Sequence, residues 1–234
     1  MKAQLIIEPI GVIRSCFTEK FGIPRQAGLA PSAEATIELT GEYNREEIVR
    51  GLDKYSHIWL QFVFHKALEE GWKTTVRPPR MGGKERLGVL ATRSPHRPNH
   101  LGISAVRLKK VYRGDRGIKI DVCGADLLDG TPVIDIKPYI VYSDHLESAR
   151  MNVQWEDLPE FGIVMSEEAE MFCSEYERGT GRKLRCLIAE VLKQDPRPAS
   201  QKDNRTEFGM YLWDVNVRWR VDGDTCRVVS CRKE

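Results

Sequence analysis

From Ala33 to Leu39 the chain alternates strictly: Ala33, Ala35, Ile37 and Leu39 fall on one side, Glu34, Thr36 and Glu38 on the other. A period of two marks a strand with one buried face. Further apolar, β-rich runs occur at Leu5–Ile13 (broken by Pro9 and Gly11), Ile58–Phe64, Leu87–Ala91, Ala105–Leu108, Ile118–Cys123 and Val133–Tyr142. Turn-forming stretches separate them, and only Arg45–Leu52 reads as a helix. Many short strands without intervening long helices predict a barrel or sandwich, not a doubly wound sheet.

The last third has another rhythm. Ser166 is placed to cap a helix, with Glu167, Glu168 and Glu170 in the first turn, where negative charge suits the helix dipole. Gly179 is expected to end it. A second helix carries Leu184, Leu187, Ile188, Val191 and Leu192 on one face and stops at Asp195-Pro196. Tyr211, Trp213, Val215, Val217, Trp219 and Val221 then alternate with Leu212, Asp214, Asn216, Arg218 and Arg220, which predicts one strand. Asp222-Gly223 turns it into a final strand near Arg227–Cys231. The polar, aperiodic Asp144–Phe161 stretch is the expected boundary between two domains. A length of 234 residues suits one large domain or two small ones, with enough chain for a real core.

Composition narrows the class. Hydrophobic content of 41% and charged content of 30% are ordinary for a soluble globular protein. No run approaches the roughly 20 apolar residues of a membrane helix, and the first residues lack the pattern of a secretory leader. A cytoplasmic location is expected. The six cysteines form no CxxC pair and have no histidine cluster beside them, so neither a disulfide framework nor zinc is expected. Cys226 and Cys231 read as small apolar residues of one strand.

Charge is uneven. Lys73–Lys110 holds ten Lys and Arg against one acid, Glu85, whereas Asp144–Arg178 holds ten acids against two arginines. Two solvated faces of opposite sign would explain this. Because the cations share their segment with a polar turn, a polyanion-binding surface explains it better.

There is no G-x-G-x-x-G after a strand, no Walker A loop, no H-E-x-x-H and no G-x-S-x-G. What remains is a set of polar turns at strand ends, where ligands are commonly held. FGIPRQAGLAP (Phe21–Pro31) presents Arg25 and Gln26 on a stiffened loop, or merely turns the chain there. His65-Lys66 follows the Ile58–Phe64 strand; a histidine there is a base or a hydrogen-bonded structural residue. Arg77, Pro78, Pro79 and Arg80 form a stiff basic stretch suited to phosphates. ATRSPHRPNHLGIS (Ala91–Ser104) offers Arg93, Arg97 and Asn99 around two prolines. DGTPVIDIKPY (Asp129–Tyr139) offers Asp129 and Thr131 in a Gly-Pro turn. QDPRPA (Gln194–Ala199) sets an acid and Arg197 just past a helix, more than a plain helix stop needs.

Five phrases in this order, PRQAGLAP, TVRPPRMGG, GVLATRSPHRPNHLGIS, DGTPVIDIKPY and QDPRPA, resemble the TrmO (YaeB-like) family of tRNA (N6-threonylcarbamoyladenosine-37-N6)-methyltransferases. The resemblance covers nearly the whole chain. It implies a mainly β protein: a non-Rossmann β-barrel that binds S-adenosyl-L-methionine over residues 1–145, and a smaller α+β domain over 160–234 that assists tRNA binding. It implies a tRNA carrying threonylcarbamoyladenosine as substrate, a homodimer with the donor near the subunit interface, and no metal. Carried over by motif, Pro24, Arg25, Gln26, His65, Lys66, Arg93, Leu101, Ile103, Asp129, Gly130, Thr131 and Pro132 look like donor-site residues. Arg77, Arg80, Arg97, Asn99 and Arg197 are the expected tRNA contacts. The chain departs from the family pattern at His100, where proline is frequent, and at Ser200, where an aromatic is common. The first departure should only soften a turn; the second removes a stacking surface.

Methyl transfer from a sulfonium is an in-line displacement, so alignment is the main lever. The N6 of a carbamoylated adenosine is urea-like and attacks well only as its proton departs, which calls for an acceptor. His65 and Asp129 are the candidates, unranked. Arg93 and Arg97 suit a cofactor carboxylate or tRNA phosphates. Asn99 suits an adenine edge or its own turn. A small-molecule methyltransferase and a non-catalytic RNA-binding barrel are the rival readings.

Overall fold

The computed structural model describes residues 5–78, 85–151, 161–197 and 206–234. In the first half lie β1 (Gly11–Ser15), β2 (Glu34–Leu39), β3 (His57–Val63), the two-residue strands β4 (Thr75–Val76) and β5 (Leu87–Gly88), β6 (Leu101–Gly114), β7 (Gly117–Cys123) and β8 (Pro132–Pro138). Six of them close a barrel in the order β1-β2-β7-β6-β3-β8. Every neighbouring pair in it is antiparallel, and β8 returns to β1 through Val133 opposite Gly11.

The alternation at Ala33–Leu39 sets which face turns inward. Ile37 stands opposite Ile13 on one neighbour and Ile120 on the other, and all three are buried. Ile58, Leu60, Val122 and Val133 complete the interior. Each such side chain contributes roughly 1.5–3 kcal/mol on leaving water. A barrel of this size is filled by its own side chains, so ligands must bind at its ends or outside. The mainly β barrel architecture expected from the resemblance is the one observed.

The second half is α+β. The helices α1 (Glu46–Val49) and α2 (Val141–Asp144) are single turns in the first half; α3 (Glu167–Thr180) and α4 (Leu184–Leu192) belong to the second. They pack on a sheet ordered β10-β11-β12-β9, from β9 (Gly162–Met165), β10 (Glu207–Leu212), β11 (Val215–Asp222) and β12 (Thr225–Lys233). Ser166 caps α3 as expected, its hydroxyl accepting the Ala169 N–H at 3.1 Å. Cys226 and Cys231 both lie on β12 and are buried. A register shift opposite Arg218/Trp219 leaves Val229 unpaired, which lets both face inward despite their odd spacing.

The two halves share a core. Cys16, Phe17, Ala30 and Ala33 pack with Leu187, Ile188, Met210 and Trp219. Polar ties reinforce the seam: Ser32 donates through its N–H and its hydroxyl to Glu190, each at 2.8 Å. The Trp213 N–H donates to the Cys16 carbonyl at 2.7 Å.

Several predicted elements differ. Leu5–Ile7 is exposed and not a strand; β1 begins only at Gly11, beyond Pro9, which has no N–H to give a ladder. Leu87–Ala91 pairs for two residues and then coils into a 3-10 turn. The Arg45–Leu52 helix shrinks to α1, and Val133–Tyr142 stops being strand at Pro138. Ala105–Leu108 is part of a strand of 14 residues. Gly179 lies inside α3, and Gly181, at φ 71, ends it. The single strand predicted from Tyr211 to Val221 is a hairpin, with Leu212 paired to Val215 and Trp213 at φ 55 in the two-residue turn. Burial accordingly switches from Met210 and Leu212 to Val215, Val217 and Trp219.

Candidate functional site

A cleft of about 850 Å³ lies where β3 ends and β6 begins. Its volume falls within the range of roughly 300–1,000 Å³ usual for small-molecule sites. Phe62 and Leu127 give it an apolar lining. Phe62 stands opposite Gly102 in the β3–β6 ladder. A Cβ on Gly102 would sit 2.4 Å from the Phe62 ring, so only glycine lets the ring lie there.

Three loops supply the polar wall. The Pro24–Gln26 segment is brought in by a close approach of two glycines: the Gly28 N–H donates to the Gly124 carbonyl at 2.8 Å. Both glycines have positive φ, 80 and 75, a conformation that disfavours side chains. The second loop, Thr92–Arg97, is stiffened from within. Thr92 Oγ1 accepts the Ser94 N–H at 3.2 Å, Ser94 Oγ accepts the His96 N–H at 3.2 Å, and Arg97 donates to the Thr92 carbonyl at 3.0 Å. The third, Asp126–Thr131, is tied to the barrel through the Asp129 N–H to the Phe17 carbonyl at 2.7 Å and the Gly130 N–H to the Ile13 carbonyl at 2.9 Å.

The charges at this wall are set by burial and by one another. Asp126 Oδ1 accepts the Ser104 hydroxyl at 2.7 Å. Burial pushes the Asp126 carboxyl above the usual aspartate value, against the lowering effect of Ser104, the Arg93 charge and the Ala27 amide. Arg93 donates to Gln26 Oε1, joining the first two loops. His65 is held below its ordinary value, first by burial and then by the nearby Lys66 and Lys20 charges. His96 lines the same cleft, and its Nδ1 is buried without a hydrogen-bond partner.

Of the expected donor-site residues, Pro24, Arg25, Gln26, His65, Lys66, Arg93, Leu101, Ile103 and Thr131 all line this cleft. Asp129, Gly130 and Pro132 do not. The Asp129 carboxylate faces β1, accepting the Ser15 N–H at 3.0 Å with Arg14 at 3.8 Å. Gly130 makes the turn at φ 77, and Pro132 pairs with Val12. Among the expected tRNA contacts, Arg97 lines the cleft and Arg77 is exposed after β4. Asn99 is exposed at φ 64. Arg80 and Ser200 lie outside the described residues. Arg197 is drawn into the protein, its guanidinium paired with both Asp195 oxygens at 2.6 and 3.1 Å.

His100 does more than soften a turn. It is buried at φ 51, its N–H donates to the Arg97 carbonyl at 3.1 Å, and its ring meets the Pro95 carbonyl at 2.9 Å. Proline, fixed near φ −65° and without an N–H, fits neither feature. Asp126 and Ser104 were not singled out in the sequence, and His96, one of the two histidines of the Ala91–Ser104 phrase, was given no role. The signal for Asp126 was available: a lone carboxylate in the apolar run Ala125–Leu128. Among the described residues no group of three or more His, Cys, Asp or Glu side chains is placed to hold a metal ion.

A closed antiparallel barrel with a polar-walled cleft at one strand junction, backed by an α+β unit, has the form of a ligand-binding barrel protein distinct from the Rossmann proteins. Family models identify which one. The tRNA-methyltransferase O N-terminal domain matches residues 12–145, and the TrmO C-terminal domain matches residues 159–234. The chain belongs to the TrmO family. It is 45% identical over 217 residues to the tRNA (adenine(37)-N6)-methyltransferase of Escherichia coli, covering 92% of each chain. It is 46% identical over 214 residues to a Pseudomonas aeruginosa protein provisionally named an S-adenosylmethionine-dependent methyltransferase, covering 91% of each. The crystal structure of TrmO from Pseudomonas aeruginosa superposes with a TM-score of 0.82 at 37% identity, over 100% of this chain and 99% of that one.

Proposed function

We propose that this protein is an S-adenosyl-L-methionine-dependent tRNA methyltransferase acting on N6 of adenine 37, and that its acceptor is the threonylcarbamoyl form of that base. One observation carries the reading. Three of the five family phrases, far apart in sequence, converge on a single cleft through Gln26, Arg93 and Thr131. The cleft suits the donor chemically. Arg93 and Gln26 offer donors and acceptors for an amino-acid end, and Phe62 and Leu127 offer apolar surface. When bound, the donor supplies an activated methyl group; the chain's own residues orient it and manage the acceptor's proton.

The exposed cations Lys73 and Arg77 are the proposed phosphate contacts. The barrel, 1–145, carries the chemistry, and the unit over 160–234 assists tRNA binding. Two copies are proposed to pair, as the apolar Leu5, Ile6 and Tyr142 are 81%, 79% and 91% exposed. Sedimentation at micromolar concentration would read that assembly, and a monomer would remove it. No helix among the described residues is long and apolar enough to cross a membrane. A cytoplasmic location is proposed with the tRNA substrate, which supports it.

The test is transfer of labelled methyl to tRNA with and without the threonylcarbamoyl group. Transfer only to the carbamoylated tRNA is expected. Equal transfer to both would remove that acceptor. Turnover without RNA would make this a small-molecule methyltransferase, and tRNA affinity without a calorimetric signal for the donor would make it an RNA-binding barrel.

A further inference from the structure

We propose that Asp126, positioned by Ser104, takes the N6 proton during methyl transfer, in place of His65 or Asp129. This rests on the methyltransferase reading above. In the step, the bond from N6 to the methyl carbon forms and the carbon–sulfur bond breaks, leaving its electron pair on sulfur. The N6 proton passes to an Asp126 carboxylate oxygen. Sulfonium and carboxylate both become neutral, so charge balances.

Besides Asp126, the titratable acceptors that line the cleft are Glu70, His65 and His96, and His96 turns its Nε2 to Glu70 at 3.7 Å. Glu70 is bound to Lys20 at 3.0 Å. Asp129 is turned to β1 and does not line the cleft. His65 does line it, but burial and the neighbouring Lys66 and Lys20 oppose its taking a proton. An imidazolium there would add a third cation to that corner.

Asp126 differs from these on each count. It lines the cleft between the Arg93–Gln26 pair and the Ser104 end of β6. Ser104, itself buried, holds one carboxylate oxygen at 2.7 Å and so fixes the carboxylate plane. Protonating the carboxylate removes a buried charge, which burial favours. The same burial that makes the ion costly therefore makes it a better base, the usual tuning of catalytic carboxylates.

The test uses the full chain with its tRNA substrate. Asp126→Asn should lower kcat by about 10²- to 10⁴-fold while donor affinity, by calorimetry, stays within about threefold. Ser104→Ala should lower kcat roughly tenfold and move the acid limb of the kcat–pH profile upward, because its hydroxyl favours the charged carboxylate. A ¹³C titration of the Asp126 carboxyl in the free protein should move the same way, without any turnover. An Asn variant with kcat within about threefold of wild type would overturn the assignment. Should that variant not fold, an acid limb and titration unmoved by Ser104→Ala would overturn it. A His65→Gln loss of the same size, with the Ser104→Ala profile unmoved, would assign the proton to His65. A wild type that binds donor but methylates no tRNA would sink the methyltransferase reading itself, and this assignment with it.

Discussion

The barrel cleft and the Gln194–Arg197 turn contain the same three kinds of side chain, an aspartate, an arginine and a glutamine, and use them in opposite ways. In the turn, Asp195 and Arg197 close on each other in a two-bond pair, with side chains only 2% and 11% exposed. Gln194 donates to the Leu29 carbonyl at 3.2 Å, tying the turn to the PRQAGLAP loop of the other half. In the cleft, Arg93 reaches Gln26 across two loops, and Asp126 is met by a hydroxyl and an amide instead of an ion-pair partner at contact distance. The turn spends its charges internally and holds the halves together. The cleft leaves its polar groups facing a cavity large enough for a ligand.

Removing one member of each set should separate the two uses. Asp195→Ala leaves a buried guanidinium unpaired, and breaking such a pair costs about 3–5 kcal/mol. Urea unfolding would show it as a lowered midpoint. A loss below about 1 kcal/mol would mean that Arg197 finds other partners, and would make a tRNA role for it credible again. Arg93→Ala should do the reverse. Arg93 is exposed and carries little of the fold, so the midpoint should hold. Donor affinity should fall by about 10- to 100-fold, the worth of a charge-assisted hydrogen bond. Normal donor binding would take Arg93 out of the site.

A third substitution probes the cleft's apolar side. Gly102→Ala would drive a methyl into the Phe62 ring, which is buried and faces Ile13, Ile58 and their neighbours in the barrel core. Overpacking of this kind costs about 1–3 kcal/mol. Phe62 also lines the cleft, so a ring displaced by the methyl should lower donor affinity several-fold along with stability. Stability lost with affinity unchanged would show that the Phe62 face is not part of the donor surface.

How much of this was legible beforehand follows from what each signal measures. Strict alternation made β2 and its inward face readable, because a pleat allows only one reading. The same logic failed at Tyr211–Val221: alternation continues through the Trp213 turn, and no glycine or asparagine-glycine pair marks the reversal. Polar turns were readable as a group, and most of the residues singled out do meet in one cleft. Which groups face inward was not readable. Asp129 and Asp126 are three residues apart in one segment, yet the first points to β1 and the second to the cavity. That choice is made by contacts from Ser15, Phe17 and Ser104, which are distant in sequence.

The smallest effect is the most direct test of the contrast between the halves, because it concerns a sign. Asp214, in the second half, accepts a hydrogen bond from Tyr176 and has Lys233 at 3.3 Å. Its carboxyl is held below the usual aspartate value, chiefly by Tyr176, with burial opposing and Lys233 assisting. Its contribution is therefore present above the ordinary aspartate value of about 3.9 and is lost as pH falls through the lowered folded value. Asp126 is raised by burial, so the unfolded chain releases that proton first as pH climbs. Wild-type stability relative to Asp126→Asn should then fall as pH rises from about 3.9 through the raised folded value, whereas stability relative to Asp214→Asn should rise across the acid range. Asp214 is partly exposed and screened, so its span should stay below about 1 kcal/mol. Urea midpoints measured from pH 3 to 7 would read both slopes. Slopes of the same sign would mean that the cleft carboxylate is as fully paired as the one in the second half, and the distinction between a site and a brace would fall with it.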